Sequence, residues 1–392
     1  MNKAGITPST KCAGFGGLKH KVMDDWEYCQ KALPKVSRTF ALNISILKGD
    51  LHRSILIAYL FCRIVDTVED AAQLDPKIKI KLLREFARLI QDADYRQGSL
   101  TSWIRECEAV DGSPNDLELL SQTQRVFNVF DTLRKNYQDQ IIPSVSEMAR
   151  GMAYFQKKFD SNALTLLENE EELEEYCYFV AGAVGEMLCN LFLEEVPHVS
   201  QHARQVMRDT AVSFGLGLQM TNISKDIIVD RGRGWSYVPR SYIESNGLTV
   251  EEFSAGSSEE KNLQILEHLL NKTMGHLQDA LKFTLAIPRK NPRIRLFCIW
   301  PLWMAVETVA VLHNNQELLK SDDPVKISRK TVRQILRRTP LLCYSDSLLK
   351  SSFERIQKRA ELFHPPEFDL NNLKSRLSAL SLEDEAAMRT SI

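Results

Sequence analysis

The chain has 392 residues, 44% of them apolar and 26% charged, with a formal net charge of −1. That is ample apolar side chain for a large core, and the near-neutral balance gives no global field toward nucleic acid, so no nucleic-acid partner is expected. No Ser/Gly/Pro tract, repeat or low-complexity block divides the sequence, which favours one large domain over the two or three that its length would permit.

Cysteines stand at 12, 29, 62, 107, 177, 189, 298 and 343 with no CxxC pair. They read as packed free thiols of a reducing, cytoplasmic compartment, not as a disulfide frame or zinc site. Residues 1–21 lack a continuous apolar stretch, so no secretory signal is expected. The longest apolar run, 296–306, contains Pro301 and falls short of the roughly 20 residues that a spanning helix needs. An integral anchor is therefore not expected, while peripheral contact with a membrane and the choice between monomer and dimer stay open.

In chain order, residues 1–20 are expected to be loose, and a helix over 24–33 should stop at Pro34. Ser37 is positioned to cap a helix over 40–47, with Arg38 a lone cation just inside it. The apolar run from Ile55, free of Gly and Pro, predicts a buried helix that ends in Asp70. On it Tyr59, Arg63, Asp66 and Asp70 fall at i, i+4, i+7 and i+11 and share a stripe, with Glu69 alongside. Acids one turn apart repel by roughly 0.2–0.5 kcal/mol in water and by more when buried. Such a helix end either emerges into solvent or meets something positive.

Pro76 opens an amphipathic helix to about residue 93, 101–112 is mixed, and Pro114 opens a helix to about 137. Pro143 then restarts the chain as a helix, with Met148, Met152, Phe155 and Phe159 on one side as either core or ligand wall. The segment 168–193 begins acidic, as the helix dipole favours, and carries Tyr176 ahead of Ala181, Gly182, Ala183 and Gly185. Each mid-helix glycine costs about 1 kcal/mol relative to alanine, so this patch makes room for a neighbouring helix or a ligand chain.

A second stripe follows: Gly215, Gln219, Asn222, Asp226 and Asp230 at i, i+4, i+7, i+11 and i+15. The loop after it, Arg231-Gly-Arg-Gly, reads as a solvated turn or as a lid over an anion. Amphipathic helices are expected over 259–286 and 292–315, broken at Asn291-Pro292, ahead of a basic stretch from Lys326 to Arg338. With no region of strand period, the fold class is all-α: a single-domain helical bundle around a central cavity.

Two acid-bearing helices in one bundle suggest facing carboxylate clusters. A di-iron site would need Glu-x-x-His motifs that do not accompany these acids, and a glycosidase dyad has no use for arginines on the same stripe. Magnesium fits better, because it takes oxygen ligands and binds through one or two carboxylates plus substrate phosphates. Arg38 and Arg63 would hold phosphate oxygens. Apolar walls would take a hydrocarbon tail and exclude water, with Tyr59, Tyr176, Phe179 and Phe297 as aromatic faces for a carbocation.

The stretches Tyr59-Leu-Phe-Cys-Arg-Ile-Val-Asp-Thr-Val-Glu-Asp70, Tyr176-Cys-Tyr-Phe-Val-Ala-Gly-Ala-Val-Gly185 and Gln219-Met-Thr-Asn-Ile-Ser-Lys-Asp-Ile-Ile-Val-Asp230 resemble the squalene and phytoene synthase family. Ser37-Arg38-Thr39-Phe40 is similar to its N-terminal arginine motif, and the likeness runs from about residue 26 to 340. Phe297-Cys-Ile-Trp-Pro301, His313-Asn-Asn-Gln-Glu-Leu-Leu-Lys320 and Val325-Lys-Ile-Ser-Arg-Lys330 look more like squalene synthase than phytoene synthase. Val229 stands where the second acid motif often has Glu, Leu302 where eukaryotic members often have Gln, and Ser328 offsets the basic motif by one residue.

The resemblance implies an isoprenoid-synthase-type catalytic domain over 21–360 and a tail over 361–392 without a spanning helix, as in soluble or peripheral bacterial-type enzymes. It implies head-to-head joining of two farnesyl diphosphates to presqualene diphosphate, then reduction by NADPH to squalene. A phytoene, dehydrosqualene or hydroxysqualene synthase without the reductive step is the alternative. By the same likeness Asp66, Glu69, Asp70, Asp226 and Asp230 would surround Mg2+, supported by Asn222. Tyr176 would be the catalytic tyrosine, with Tyr59 nearby and Phe297 lining the second-step pocket. Arg38, Arg63, Lys225, Lys326 and Arg329 would bind diphosphate or NADPH phosphates, and Ser37, Gln219 and Arg231 would complete the substrate site.

Overall fold

A computed structural model describes residues 15–158, 163–196, 198–315, 318, 325–362 and 367–390. The chain is about 80% helical, as its periodicity predicts. Its first helices are α1 (Phe15–Val36), α2 (Arg38–Ser45), α3 (Gly49–Asp70), α4 (Pro76–Gln91) and α5 (Ala93–Glu106). Then come α6 (Pro114–Ser121), α7 (Thr123–Phe130), α8 (Lys135–Gln156), α9 (Glu170–Cys177) and α10 (Ala183–Glu195). The second half comprises α11 (Gln201–Gly232), α12 (Arg240–Ser245), α13 (Val250–Ser254), α14 (Glu259–Ala286), α15 (Pro292–Leu312), α16 (Arg329–Leu342), α17 (Asp346–Ala360) and α18 (Leu370–Thr390).

Several expected boundaries fall where polar side chains can close them. Ser37 caps α2 by accepting from the Phe40 N–H, Asp75 caps α4, and Ser113 caps α6. Proline is a weaker stop than expected. Helix α1 continues past Pro34, and the Ser37 N–H still bonds the Leu33 carbonyl at 2.9 Å. Helix α8 runs through Pro143 from Lys135, eight residues before the expected restart. Pro143 and Asp139 are both exposed, so the carbonyl that loses its donor is left on the solvent side. The helix expected from Pro114 to 137 is instead α6, α7 and a turn.

Helix α11 sits at the centre and packs along α14 on one side and α10 on the other. Its contact with α10 decides the use of the small-residue patch. A Cβ on Gly185 would stand 2.2 Å from the Ala211 carbonyl oxygen, and one on Gly215 would stand 2.1 Å from that of Ala181. These glycines let two helices touch along their backbones; they do not line a channel for a chain. Between α9 and α10, Tyr178–Gly182 forms a π-helical turn, a local widening that often accompanies functional sites.

Two short strands refine the all-α reading. Thr165–Leu166 pairs in parallel with Trp235–Ser236, with Thr165 opposite Trp235. Gly234, at φ +87°, makes the turn that brings the second strand back. The bridge ties the segment leading into α9 to the loop leaving α11.

Helix α15 has 21 residues and a window of mean hydropathy 1.5, and α9 to α10 spans 26 residues at 1.4. Both are therefore long and apolar enough to cross a membrane, contrary to the expectation drawn from residues 296–306. Most of each window, 72% and 67%, is buried inside this fold, as for core helices. The described cysteines, 29, 62, 107, 177, 189, 298 and 343, are free and buried, while Cys12 lies outside the described residues. Within 367–380 the chain is docked: Leu373 is fully buried and Phe368 packs against His276.

Candidate active site

The last turns of α3 and the second half of α11 converge on one cavity of about 320 Å³. From α3 it receives Arg63, Asp66, Glu69 and Asp70; from α11 it receives Gln219, Asn222, Asp226 and Asp230. Tyr176 lines it from α9, with Val180 of the π turn, Met152 of α8, and Arg233 and Tyr237 of the loop after α11. Both acid stripes and the tyrosine singled out in the sequence thus share one hollow. Inside the second stripe α11 departs from helical geometry at Asp226 (φ −103°, ψ 15°), so the helix is kinked where its acids stand.

The electrostatics are unbalanced. Burial, then the neighbouring Asp70, pushes the Asp66 carboxyl up to about 7 against the pull of Arg63. Burial and Asp70 push Glu69 up to about 8, opposed by Lys79. Burial and Asp226 push Asp230 up to about 7. Among the described residues neither the Asp66 nor the Asp230 carboxylate has a hydrogen bond or ion pair within the protein.

The nearby cations are partly spoken for. Arg63 gives Nε and Nη2 to the two oxygens of Asp116, each at 2.8 Å. Lys79 donates to the Glu69 backbone carbonyl at 2.9 Å. Lys225 pairs with Asp226 beside it, and Arg233 reaches across to Asp70 at 2.9 Å.

Such a donor set, all carboxylate and amide oxygen, matches a hard divalent cation. Among the described residues no three Asp, Glu, His or Cys side chains gather around one point. Magnesium does not require that, since it keeps waters and takes phosphate oxygens alongside one or two carboxylates. The residues present therefore fit the ion.

Tyr176 forms the opposite wall. Its hydroxyl donates to that of Tyr237 at 3.0 Å, and the rings stack with centroids 4.5 Å apart. Trp235 also stacks on Tyr237 at 5.7 Å, and Phe155 meets Tyr176 edge-on at 5.3 Å. Burial, then the Tyr237 hydroxyl and Glu69, pushes the Tyr176 phenol well above its usual value. It is a neutral O–H at physiological pH.

Other expected residues lie off the cavity wall. Ser37 caps α2 and Arg38 is exposed. Tyr59, one turn before Arg63, packs on Phe40 at 5.0 Å, and burial pushes its phenol up to about 12 against a hydrogen bond from Ser37. Phe297 is buried edge-on to Phe192 at 5.6 Å. Lys326 and Arg329 are exposed. Phe159 and residues 316–317 and 319–320 of the His313 motif lie outside the described residues.

The expectation for Arg231 is corrected. It still belongs to the last turn of α11 and donates to the Ser254 carbonyl at 2.6 Å, away from the acids. The loop arginine that lines the cavity is Arg233, beyond Gly232 in the turn that reaches Asp70 of α3. Asp116 and Tyr237 were also missed. Each meets its partner across more than 50 residues of chain, a relation with no local period to reveal it.

The squalene/phytoene synthase family matches residues 33–331. The chain is 30% identical to squalene synthase 1 of Arabidopsis thaliana over 317 residues, 80% of this chain and 71% of that protein. It is 29% identical to inactive squalene synthase 2 of the same plant, over 80% of this chain and 70% of that one. The solved complex of TcSQS with the ligand BPH1237 superposes with a TM-score of 0.72 at 24% identity, covering 90% of this chain and 96% of that one, a likeness of fold. With three-quarters of its length matched, the chain belongs to the squalene/phytoene synthase family.

Proposed function

We propose that the chain is a magnesium-dependent squalene synthase, joining two farnesyl diphosphates head to head into presqualene diphosphate and reducing that intermediate with NADPH. One observation carries the metal-dependent half: five carboxylates from two helices line a cavity whose cations do not balance them, beside a buried pair of tyrosine hydroxyls. Asp66, Glu69, Asp70, Asp226 and Asp230, with Asn222, would hold the ions. Bound magnesium supplies charge stabilisation for a departing diphosphate.

The remaining work falls to the chain itself. Arg63 and Arg233, both on the cavity wall, orient diphosphate oxygens. Met152 and Val180 give an apolar surface that keeps water from the reacting carbons. Tyr176, held neutral, gives its O–H proton to the leaving diphosphate, and the phenolate oxygen so formed takes up the proton released on ring closure, with Tyr237 as the next hydroxyl in line.

The reductive half rests on the likeness of 297–301 and 325–330 to squalene synthase, with Lys326 and Arg329 as candidate phosphate ligands and Phe297 in the second pocket. Family membership is shared with a relative named as inactive, so turnover itself requires measurement. Purified protein given farnesyl diphosphate, magnesium and NADPH should release squalene, and should accumulate presqualene diphosphate without NADPH. A product unchanged by NADPH, such as hydroxysqualene or dehydrosqualene, removes the reductive half. A 40-carbon product from geranylgeranyl diphosphate makes the chain a phytoene synthase. No product from either substrate removes the enzyme reading. The proposed setting is the cytoplasm, peripheral to a membrane.

A further inference from the structure

We infer that the corner formed by α16 and the start of α17 is a docking face for an anionic lipid bilayer. Helix α16 carries Arg329, Lys330, Arg333, Arg337 and Arg338 and not a single Asp or Glu. All five cations are exposed, and none has an ion pair among the described residues. The chain as a whole has a net charge of −1, so this is a local concentration of positive charge, not a share of a basic protein.

A second observation falls at the C-terminal end of the same helix. Leu341, Tyr344 and Leu348 are 79%, 57% and 52% exposed, the most exposed large apolar side chains among the described residues. Leu341 lies in the last turn of α16, Tyr344 in the connection and Leu348 in the first turn of α17, so the three cluster at the corner between the two helices. The helix beneath is firmly seated: Ile335 and Thr339 are buried, and Trp300 Nε1 donates to Thr339 Oγ1 at 2.9 Å. The basic helix and Leu341 at its end are thus carried on a seated element of the surface.

A third feature adjoins both. Pro340 and Tyr344 form one rim of a groove of about 580 Å³ that also holds Lys48, Lys290 and Arg293 against the single acid Glu195. Its floor is apolar, with Leu51 and Leu296. Three cations over a greasy floor suit the phosphate and first methylenes of a lipid.

The combination selects the occupant. A basic helix face with apolar side chains at its edge is how an interfacial helix meets anionic lipid: cations take headgroup phosphates while the apolar residues enter the acyl boundary. A soluble anion would fill the groove and leave Leu341 and Leu348 in water. A second copy of the chain on a two-fold axis would set five cations against the same five. This face is read from charge and exposure and deepens the peripheral setting proposed above; Arg329, which it shares with the proposed cofactor site, is left out of the variants below.

Cosedimentation of the full chain with vesicles tests it without reference to turnover. Binding should be at least about tenfold tighter to phosphatidylcholine vesicles containing phosphatidylglycerol than to phosphatidylcholine alone, and should weaken as salt is raised. Arg333→Glu, Arg337→Glu and Arg338→Glu together should abolish that preference. Leu341→Ser, Tyr344→Ser and Leu348→Ser together should lower binding to both vesicle types while leaving the thermal midpoint unchanged. Equal binding to the two vesicle types, or wild-type binding by both triple variants, overturns the inference. So does sedimentation velocity showing that the Leu/Tyr variant turns a dimer into a monomer, which would make this face a self-contact.

Discussion

Two groups of carboxylates on the helices of this bundle are opposite in electrostatic design. On the back of α9, Glu170 and Glu174 share Lys272 at 2.6 and 2.7 Å, and Glu174 and Glu175 share Arg376 of α18 at 2.6 and 2.9 Å. Glu186 of α10 takes Lys374 at 2.7 Å. Each of these four acids has a cation of the chain beside it. On the cavity side Asp66 and Asp230 have no such partner among the described residues, and burial pushes both carboxyls up to about 7. The contrast teaches that the fold can neutralise buried acids where it has reason to, and leaves the cavity acids short of positive charge for something supplied from outside.

Removing charge from the two regions should therefore have opposite consequences. The largest effect is expected in turnover: Asp66→Asn or Asp226→Asn should each cost at least about 10³-fold in kcat, while the metal-free variants melt no lower than the parent. Activity kept by both variants would exclude the metal-cluster mechanism. In the balanced region the loss is one of stability. Lys272→Met removes a buried cation from half-buried Glu170 and one of the two cations beside Glu174, which keeps Arg376, and should destabilise the chain by about 1–3 kcal/mol, read from denaturant unfolding.

Tyr176→Phe should lower kcat by about 10²-fold or more with the fold intact, and Tyr237→Phe by less, because its hydroxyl stands one hydrogen bond further away. A wild-type rate for Tyr176→Phe would remove the phenol from the reaction. Arg376→Ala, which unties α18 from α9, should cost about 1–3 kcal/mol of stability, with a smaller loss of kcat through the seating of Tyr176. If kcat fell while stability held, the strap would act on the site by some other route.

The smallest effect is the slope of stability with pH. Asp66, Glu69 and Asp230 have carboxyls raised in the folded chain, so between about pH 4 and 7 the folded state holds protons that the unfolded state has lost. Their contribution to stability therefore falls as pH rises across that window. The thermal midpoint of the metal-free Asp66→Asn variant should decline less steeply with pH than that of the parent; parallel slopes would mean that the acids are already compensated.

The acid stripes were legible in the sequence because helical spacing turns i, i+4, i+7 and i+11 into a line on one face, and Tyr176 stood out beside its small-residue patch. What stayed hidden depends on distant partners. Asp116 holding Arg63, Tyr237 stacked on Tyr176, and Arg376 clamped to Glu174 pair residues 53, 61 and 202 positions apart. The prolines misled for a related reason. A proline costs a helix about 3 kcal/mol, and the packing of α8 on its neighbours outweighs that cost. The tail beyond 361 looked unremarkable by composition, yet Leu373, Lys374 and Arg376 dock it against the acidic back of α9.

The central claim is that the cavity acids wait for a divalent cation that brings a diphosphate with it. Thermal unfolding at pH 8 with magnesium and inorganic pyrophosphate, each alone and together, tests this directly on the parent and on Asp66→Asn/Asp226→Asn. The account predicts that the pair together raises the parent's midpoint most, equivalent to about 2.7 kcal/mol at a hundredfold excess over the dissociation constant, and leaves the double variant unmoved. An equal rise in both proteins, or none in the parent, would contradict it.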